Sequence, residues 1–423
     1  MSRINKKELS SIKGTKDILP GEIKKWQKTE ETAKEIFELY GYKEIRTPVF
    51  EATELFEKGT GETSDIVIKE MYTFKDKGGR SLTLRPEYTP SVVRAIIENR
   101  LYLNPEPMRF YFIGPMFRYD KPQKGRYRQF HQADIEVFGE KDPEVDAEIV
   151  EMAYTLLRKL GVEDIEILVN SVGCRKCRPL YHKELIAAAE KQRARLCEDC
   201  QRKIETNPLR IFDCKNETCR NAALEFPKIT EFLCDECRKH FDRFCRLLDF
   251  YSLKYSIDPK LVRGLDYYTK TTFEIISSKL GAQDAVLGGG RYDEMMKDFG
   301  GPDICGIGFA MGMERLLSVM PDFKEPEKFL YIVHMGEKAK KDAMELAKFF
   351  RANQVECLLE YKDRKLKKQM SRADKLNATW SLVIGEEEVK KRKYQLKDMK
   401  TGEQKEVTKE EALKSMTSQI EKP

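Results

Sequence analysis

Eight of the eleven cysteines in this 423-residue chain fall between positions 174 and 237. Cys174/Cys177, Cys197/Cys200 and Cys234/Cys237 are each separated by two residues, and Cys214/Cys219 by four. Two thiolates on so short a stretch grip a soft cation from one side, and eight of them complete two tetrahedral zinc sites of four ligands each. His182 and His240 are spare candidate ligands. The competing reading is a set of reduced, partly buried cysteines that only pack. Cys245, Cys305 and Cys357 lack a partner at ligand spacing and are expected to pack.

A second group of residues suits phosphate and a zwitterion. The chain has no Gly-x-x-x-x-Gly-Lys-Ser/Thr loop and no Gly-x-Gly-x-x-Gly run joining a strand to a helix, so neither a P-loop nor a dinucleotide fold is supported. Arginine is the natural substitute, because a guanidinium offers a rigid fork of donors to phosphate oxygens. In residues 127–138, Ala133, Ile135 and Val137 alternate with Gln132, Asp134 and Glu136. A strand there carries two carboxylates and an amide on one face. On an ordinary sheet that face is merely wet. Here Arg118 ends the preceding strand-like run, and the basic residues Lys121, Lys124 and Arg126 follow, so charge of both signs collects on one surface.

The elements that must hold these residues can be read from periodicity. Residues 22–40 place Ile23, Trp26, Ala33, Ile36, Phe37 and Tyr40 at helical spacing, and Gly41 stands where a left-handed C-cap belongs. A strand-like run at 43–47 is interrupted by Pro48. Runs 108–114 and 127–138, joined by a polar loop at 119–126, predict a long hairpin. Val145, Ile149, Met152, Leu156 and Leu160 predict an amphipathic helix ended by Gly161. From about 165 to 248 the texture changes to cysteine pairs and scattered charge, which suggests an inserted module. After a proline-bounded linker at 321–326, strands at 329–334, 357–361 and 381–384 alternate with helices near 337–352 and 366–377. That pattern predicts a small separate α/β domain.

Composition sets wider limits. The length exceeds that of one hydrophobic core, and 77 Lys+Arg against 71 Asp+Glu leave a net charge of only +6. Nucleic acid is allowed as a partner but not demanded. No apolar run suits a signal peptide or a membrane span, so a cytoplasmic protein is expected.

Residues 117–139 (FRYDKPQKGRYRQFHQADIEVFG) resemble the second signature motif of histidyl-tRNA synthetases. Further pieces agree in order: 14–20 (GTKDILP), 41–51 (GYKEIRTPVFE) as the first class II motif, 83–90 (TLRPEYTP), 261–268 (LVRGLDYY), 288–293 (GGGRYD) and 306–317 (GIGFAMGMERLL) as the third. Residues 367–407 are similar to the family's anticodon-binding domain. The resemblance implies an α+β catalytic domain with an antiparallel sheet in two parts, 1–164 and 249–323. A cysteine-rich insertion at 165–248 would interrupt it, and an anticodon-binding α/β domain at 326–423 would follow.

It also implies roles. Histidine would be activated with ATP and Mg2+ to an adenylate and then transferred to tRNA(His). Arg118 would grip the α-phosphate and Arg315 the γ-phosphate, while Arg263 would stabilise the charge that builds as the histidine carboxylate attacks. Glu87, Thr89 and Gln132 would hold the α-ammonium group, and Glu136 and Tyr268 the imidazole. Tyr88 and Tyr267 complete the same two segments. Lys121, Lys124, Arg126 and Arg128 would face the tRNA acceptor end, and a homodimer would form through the first motif. His131 is expected to point away from the Gln132/Glu136 face. Zinc is not implied by the resemblance and rests on the cysteines alone. The rival readings are a regulatory paralogue partnering ATP phosphoribosyltransferase and a class II synthetase for another amino acid. The Arg263 segment and the C-terminal domain argue against the first, and LVRGLDYY against the second.

Overall fold

The computed structural model describes residues 9–61, 64, 66–104, 108–123, 125–212, 214–262, 265–281, 285–322 and 328–420, the last three by backbone alone. Arg263 and Lys124 lie outside these residues. The chain divides into two compact units, residues 1–322 and 323–423.

The first unit is built on an eight-stranded sheet with the order β1-β5-β6-β11-β10-β9-β7-β8. Its strands are β1 (Lys43–Glu44), β5 (Met108–Phe117), β6 (Gln129–Phe138), β7 (Glu166–Ser171), β8 (Tyr255–Ile257), β9 (Thr269–Ile276), β10 (Ala285–Arg291) and β11 (Gly306–Gly312). The central pairs are antiparallel, and only the edge strands β1 and β8 pair in parallel. The expected hairpin is β5 and β6, paired from Met108↔Phe138 to Phe117↔Gln129. β6 starts two residues later than alternation suggested, and the amide of Arg128 donates instead to the carbonyl of Gly14 at 2.6 Å.

Alternation on β6 decides which face meets the core. Ala133, Ile135 and Val137 are almost fully buried in one cluster with Ala33, Ile36 and Phe37 of the helix Pro20–Leu39 and Ile149, Met152 and Leu156 of the helix Pro143–Lys159. Gln132, Asp134 and Glu136 are left on the opposite face. A smaller antiparallel sheet, in the order β2-β4-β3, was not anticipated; it comprises β2 (Phe50–Ala52), β3 (Tyr72–Lys75) and β4 (Ser81–Leu84). It delivers the chain from β4 directly to Glu87 and the helix Thr89–Glu98.

The cysteine-rich stretch, expected as an insertion over 165–248, shares elements with the large sheet and its core. Residues 166–171 form β7, hydrogen-bonded between β8 and β9 inside the large sheet. The helix Asp235–Phe250 begins in the module, yet its Phe241, Phe244 and Leu248 join the main core. Cysteine spacing marks ligands, not packing, and so cannot locate where the apolar core resumes.

The second unit holds a five-stranded mixed sheet, β13-β12-β14-β15-β16, where β12 is Leu330–His334, β13 Cys357–Leu359, β14 Trp380–Ile384, β15 Tyr394–Asp398 and β16 Gln404–Val407. β12 is parallel to β13 and β14, and the remainder is antiparallel. The helix Glu337–Ala352 covers one face through Ala343, Leu346 and Phe350, and the helix Leu366–Lys375 covers the other through Ala373. The β15/β16 hairpin escaped sequence reading because its strands are short, charged and at a sheet edge. No helix among the described residues is long and apolar enough to cross a membrane.

Candidate active site

The polar face of β6 forms the floor of a cavity of about 380 Å³. Cross-strand pairing sets Gln132 opposite Gly312, Asp134 opposite Ala310 and Glu136 opposite Gly308. The row continues onto β10, where Gly288 pairs with Ala310 and Gly290 with Gly308. Small residues on two neighbouring strands keep the space above the carboxylates open. At Gly308 the demand is strict: a Cβ there would lie 2.1 Å from Glu136 Oε2 and 2.2 Å from the carbonyl oxygen of Ile135.

Of the seven carboxylates that line this cavity, three are buried: Glu87, Asp134 and Glu136. Glu87 accepts from Thr60 Oγ1 at 2.8 Å and from the hydroxyl of Tyr267 at 2.9 Å. Glu136 accepts from Thr89 Oγ1 and from the hydroxyl of Tyr292. Burial pushes the Glu136 carboxyl up to about 8, although both donors oppose the shift. Burial raises Glu87 as well, and burial followed by the nearby Glu136 charge raises Asp134 well above the carboxylate range. Gln132 Oε1 and Asp134 Oδ1 are buried without a hydrogen-bond partner among the described residues. Buried polar atoms of this kind call for a ligand or water. The constellation suits a small cation-bearing molecule with its own donors.

This burial has a consequence for stability. The ordinary carboxyl value for Glu136 is 4.5, so above that pH the unfolded chain has released the proton that the folded protein retains to about 8. The stabilising term is therefore complete below the unfolded value and is lost as pH rises through the folded one. In the ligand-free protein the thermal unfolding midpoint should fall between about pH 5 and 8, and Glu136→Gln should flatten that slope. A wild-type midpoint that stays level across this window contradicts the expectation.

The cationic side is carried by Arg118, Arg126 and Arg315, which line the same cavity. Arg118 Nε donates to the Pro86 carbonyl at 2.7 Å, and its guanidinium lies over the Phe130 ring at 5.3 Å, which holds the fork in one orientation. Arg315 donates to the Ala285 carbonyl at 2.9 Å. Arg126 is paired with Asp120 at 2.5 Å. Among the other basic loop residues, Arg128 stacks on Tyr119 at 4.0 Å and Lys121 is exposed, and neither lines the cavity.

Of the remaining expected residues, Thr89, Tyr267 and Tyr268 border the cavity. Tyr88 also borders it, but its hydroxyl donates to the Ile45 carbonyl at 2.7 Å and its ring stacks on Phe112. Its phenol is therefore committed to the wall. His131 points away from the face of β6 that carries Gln132, Asp134 and Glu136, as alternation required. Its amide and ring nitrogen both lie 3.0 Å from Glu314, and its ring meets Trp26 edge-on. Sequence reading missed Tyr292, Thr60 and Arg210. Tyr292 was signalled by its place in GGGRYD; the other two carried no local signal.

The eight cysteines gather into two sets, Cys174/Cys177/Cys234/Cys237 and Cys197/Cys200/Cys214/Cys219, with all sulfurs of a set within 4.8 Å of one another. Sulfur separations are 3.7 Å for Cys174–Cys177, 3.9 Å for Cys174–Cys234 and 3.8 Å for Cys197–Cys214. Backbone amides of Cys234 and Cys197 donate to Cys177 and Cys219 Sγ at 3.2 and 3.1 Å. Neither spare histidine takes part. His240 Nε2 lies 2.8 Å from Asp146, which also pairs with the fully buried Arg291, and His182 lines a separate cavity.

Comparison with known proteins fits this geometry. The family sequence model described as histidyl-tRNA synthetase matches residues 14–316, and an anticodon binding domain model matches residues 330–419. The histidine–tRNA ligase of Halothermothrix orenii is 48% identical over 405 residues, covering 95% of this chain and 97% of that one. That of Thermoanaerobacter pseudethanolicus is 50% identical over 401 residues, covering 94% and 96%. The crystal structure of apo S. aureus histidyl-tRNA synthetase superposes with a TM-score of 0.81 at 37% identity, covering 96% of this chain and 99% of that one. A catalytic unit with buried carboxylates facing fixed arginines, followed by an anticodon-binding domain, thus belongs to the histidyl-tRNA synthetase family, and the chain's activity is that of a histidine–tRNA ligase.

Proposed function

We propose that the cavity of about 380 Å³ holds histidine against the carboxylate floor and ATP against the arginines, with each expected residue in the role the motifs imply. One observation carries this reading: buried acceptors lacking partners, Gln132 Oε1 and Asp134 Oδ1, share a cavity with two held guanidinium groups. Glu87, Thr89 and Gln132 take the α-ammonium group, and Glu136 and Tyr268 the imidazole. An analogue without ring nitrogens would strand a buried carboxyl, which is how the site rejects apolar amino acids of similar size. The histidine carboxylate is already ionised, so its attack on the α-phosphorus needs no general base. Arg118, Arg263 and Arg315 supply the positive charge for the phosphate chain, and Mg2+ bound with ATP neutralises the rest. Lys121, Lys124, Arg126 and Arg128 are assigned to phosphates of the tRNA acceptor end, and Arg126 also lines the cavity. The enzyme acts as a homodimer in the cytoplasm, where tRNA is charged. Glu87→Gln should raise the KM for histidine and Arg315→Ala the KM for ATP in pyrophosphate exchange; the reverse pattern, or no change in either, overturns the assignment.

We also propose that both cysteine sets bind structural zinc. A tetrahedron with Zn–S bonds of about 2.3 Å has edges of about 3.8 Å; the Cys174–Cys177, Cys174–Cys234 and Cys197–Cys214 separations of 3.7 to 3.9 Å match that edge, and all sulfurs of a set lie within 4.8 Å. Four-thiolate sites without an open position serve folding, not catalysis. Protein expressed with ample zinc should carry up to two equivalents per chain, and a chelator should lower the module's stability. Absence of bound metal, with all eight thiols reacting freely in the native state, would falsify this.

A further inference from the structure

Two side chains of the cysteine-rich module meet a single carboxylate of the segment 265–268. Asn207 Nδ2 donates to Asp266 Oδ1 at 3.0 Å, and Arg210 Nη2 lies 3.4 Å from the same oxygen. Arg210 is only 8% exposed. Its neighbour Ile211 is fully buried in the module's own core beside Cys200 and Cys219. One anchor of this contact is therefore the second cysteine set. On its other side Asp266 abuts Gly61, where an added Cβ would lie 2.7 Å from Oδ2.

The next residue connects this contact to the amino-acid site. Tyr267 donates to one oxygen of Glu87 at 2.9 Å, and Thr60 donates to the other at 2.8 Å. Arg210, Leu265 and Tyr268 line both the cavity of about 380 Å³ and a second one of about 370 Å³, so they form the partition between them. Residues 265–268 belong to no strand or α-helix. Besides a long backbone bond from Asp266 to the Thr60 carbonyl at 3.5 Å and a bond from the Arg178 guanidinium to the Tyr268 carbonyl, no backbone ladder fixes them, so side-chain contacts contribute to their position.

We propose that Arg210 is a positioning residue for histidine activation: through Asp266 it fixes the segment bearing Tyr267 and Tyr268, so the inserted module shapes the amino-acid site. The inference rests on the reading of Glu87 and Tyr267 given above. A guanidinium serves better than an ammonium here, since its planar fork holds a carboxylate in one orientation and is weakly hydrated when buried.

The test is steady-state pyrophosphate exchange on the full chain. Arg210→Ala should raise the KM for histidine by about ten- to a hundredfold, the scale of a small misplacement in a bound substrate, while the KM for ATP and the unfolding temperature hold. Arg210→Lys should fall between the two. Asp266→Ala, which also loses the Asn207 contact, should match or exceed Arg210→Ala, and the double variant should be no worse than Asp266→Ala, in which the Arg210 contact is already gone. If Arg210→Ala does not fold, Arg210→Lys and Asn207→Ala carry the same expectation at smaller size. A fall in kcat alone, with both KM values intact, would mean a lower folded fraction and would overturn the proposal, as would additive effects in the double variant. Glu87→Gln separates the two levels. Raised histidine KM in Glu87→Gln but not in Arg210→Ala removes only the clasp, whereas no change in either removes the site reading and the clasp together.

Discussion

Arg118→Ala should slow formation of histidyl-adenylate by about a hundred- to a thousandfold, equivalent to about 2.7–4 kcal/mol of transition-state stabilisation. The guanidinium is held before any substrate arrives, by the Pro86 carbonyl at 2.7 Å and the face of Phe130 at 5.3 Å. In the proposed role its positive charge would meet the developing charge on phosphorus without reorganisation, where a mobile side chain would first have to be ordered. It also faces a cavity that holds three buried carboxylates, so the loss is poorly compensated by water. Single-turnover measurement should show the deficit in adenylation, with transfer from preformed adenylate to tRNA affected much less. Arg263→Ala is expected to fall in the same range, from its place in LVRGLDYY alone. Unchanged adenylation in a folded Arg118 variant would remove that residue from the reaction.

Gly308→Ala is the second large expected loss. The new methyl would sit 2.1 Å from Glu136 Oε2 and 2.2 Å from the Ile135 carbonyl oxygen. The carboxyl group can swing away, but the carbonyl belongs to the β6 backbone beside β11 and cannot move without parting the strands. Overpacking of this kind costs about 1–3 kcal/mol. Displacement of Glu136 would also take the proposed imidazole partner out of place, so histidine affinity should fall by more than stability alone explains. Gly312→Ala is the control on the same strand. Its nearest neighbours are side-chain atoms of Arg315 at 3.7 Å or more, an ordinary contact. Urea unfolding together with the histidine KM for both variants checks the contrast, and equal effects from the two would show that the carboxylate row does not depend on small neighbours.

How much of this was readable beforehand depended on whether the cause was local. The β5/β6 hairpin, the polar face carrying Gln132, Asp134 and Glu136, and the exclusion of His131 from it follow from a period of two, which neighbouring residues impose. The helix Glu337–Ala352 and the alternating pattern around it were legible for the same kind of reason. Cysteine spacing marked all eight gathered thiols, since two or four residues between paired cysteines is a property of the chain itself.

Other features were settled only by contacts distant in sequence. Which cysteine pairs combine is one: the pair at 174/177 joins the pair at 234/237 across the whole module, leaving 197/200 to 214/219. Burial of the three carboxylates is another: Glu136 is raised by desolvation once segments distant in sequence pack around it, and the hydroxyl of Tyr292, about 150 residues away, opposes that shift. The place of β7 in the sheet is a third, since it comes from pairing with β9, about a hundred residues later. Spacing and alternation act within a few residues and are written in the chain. Desolvation, the grouping of ligand pairs and the reach of Arg210 to Asp266 exist only once distant segments pack together, and so they were decided by the tertiary structure.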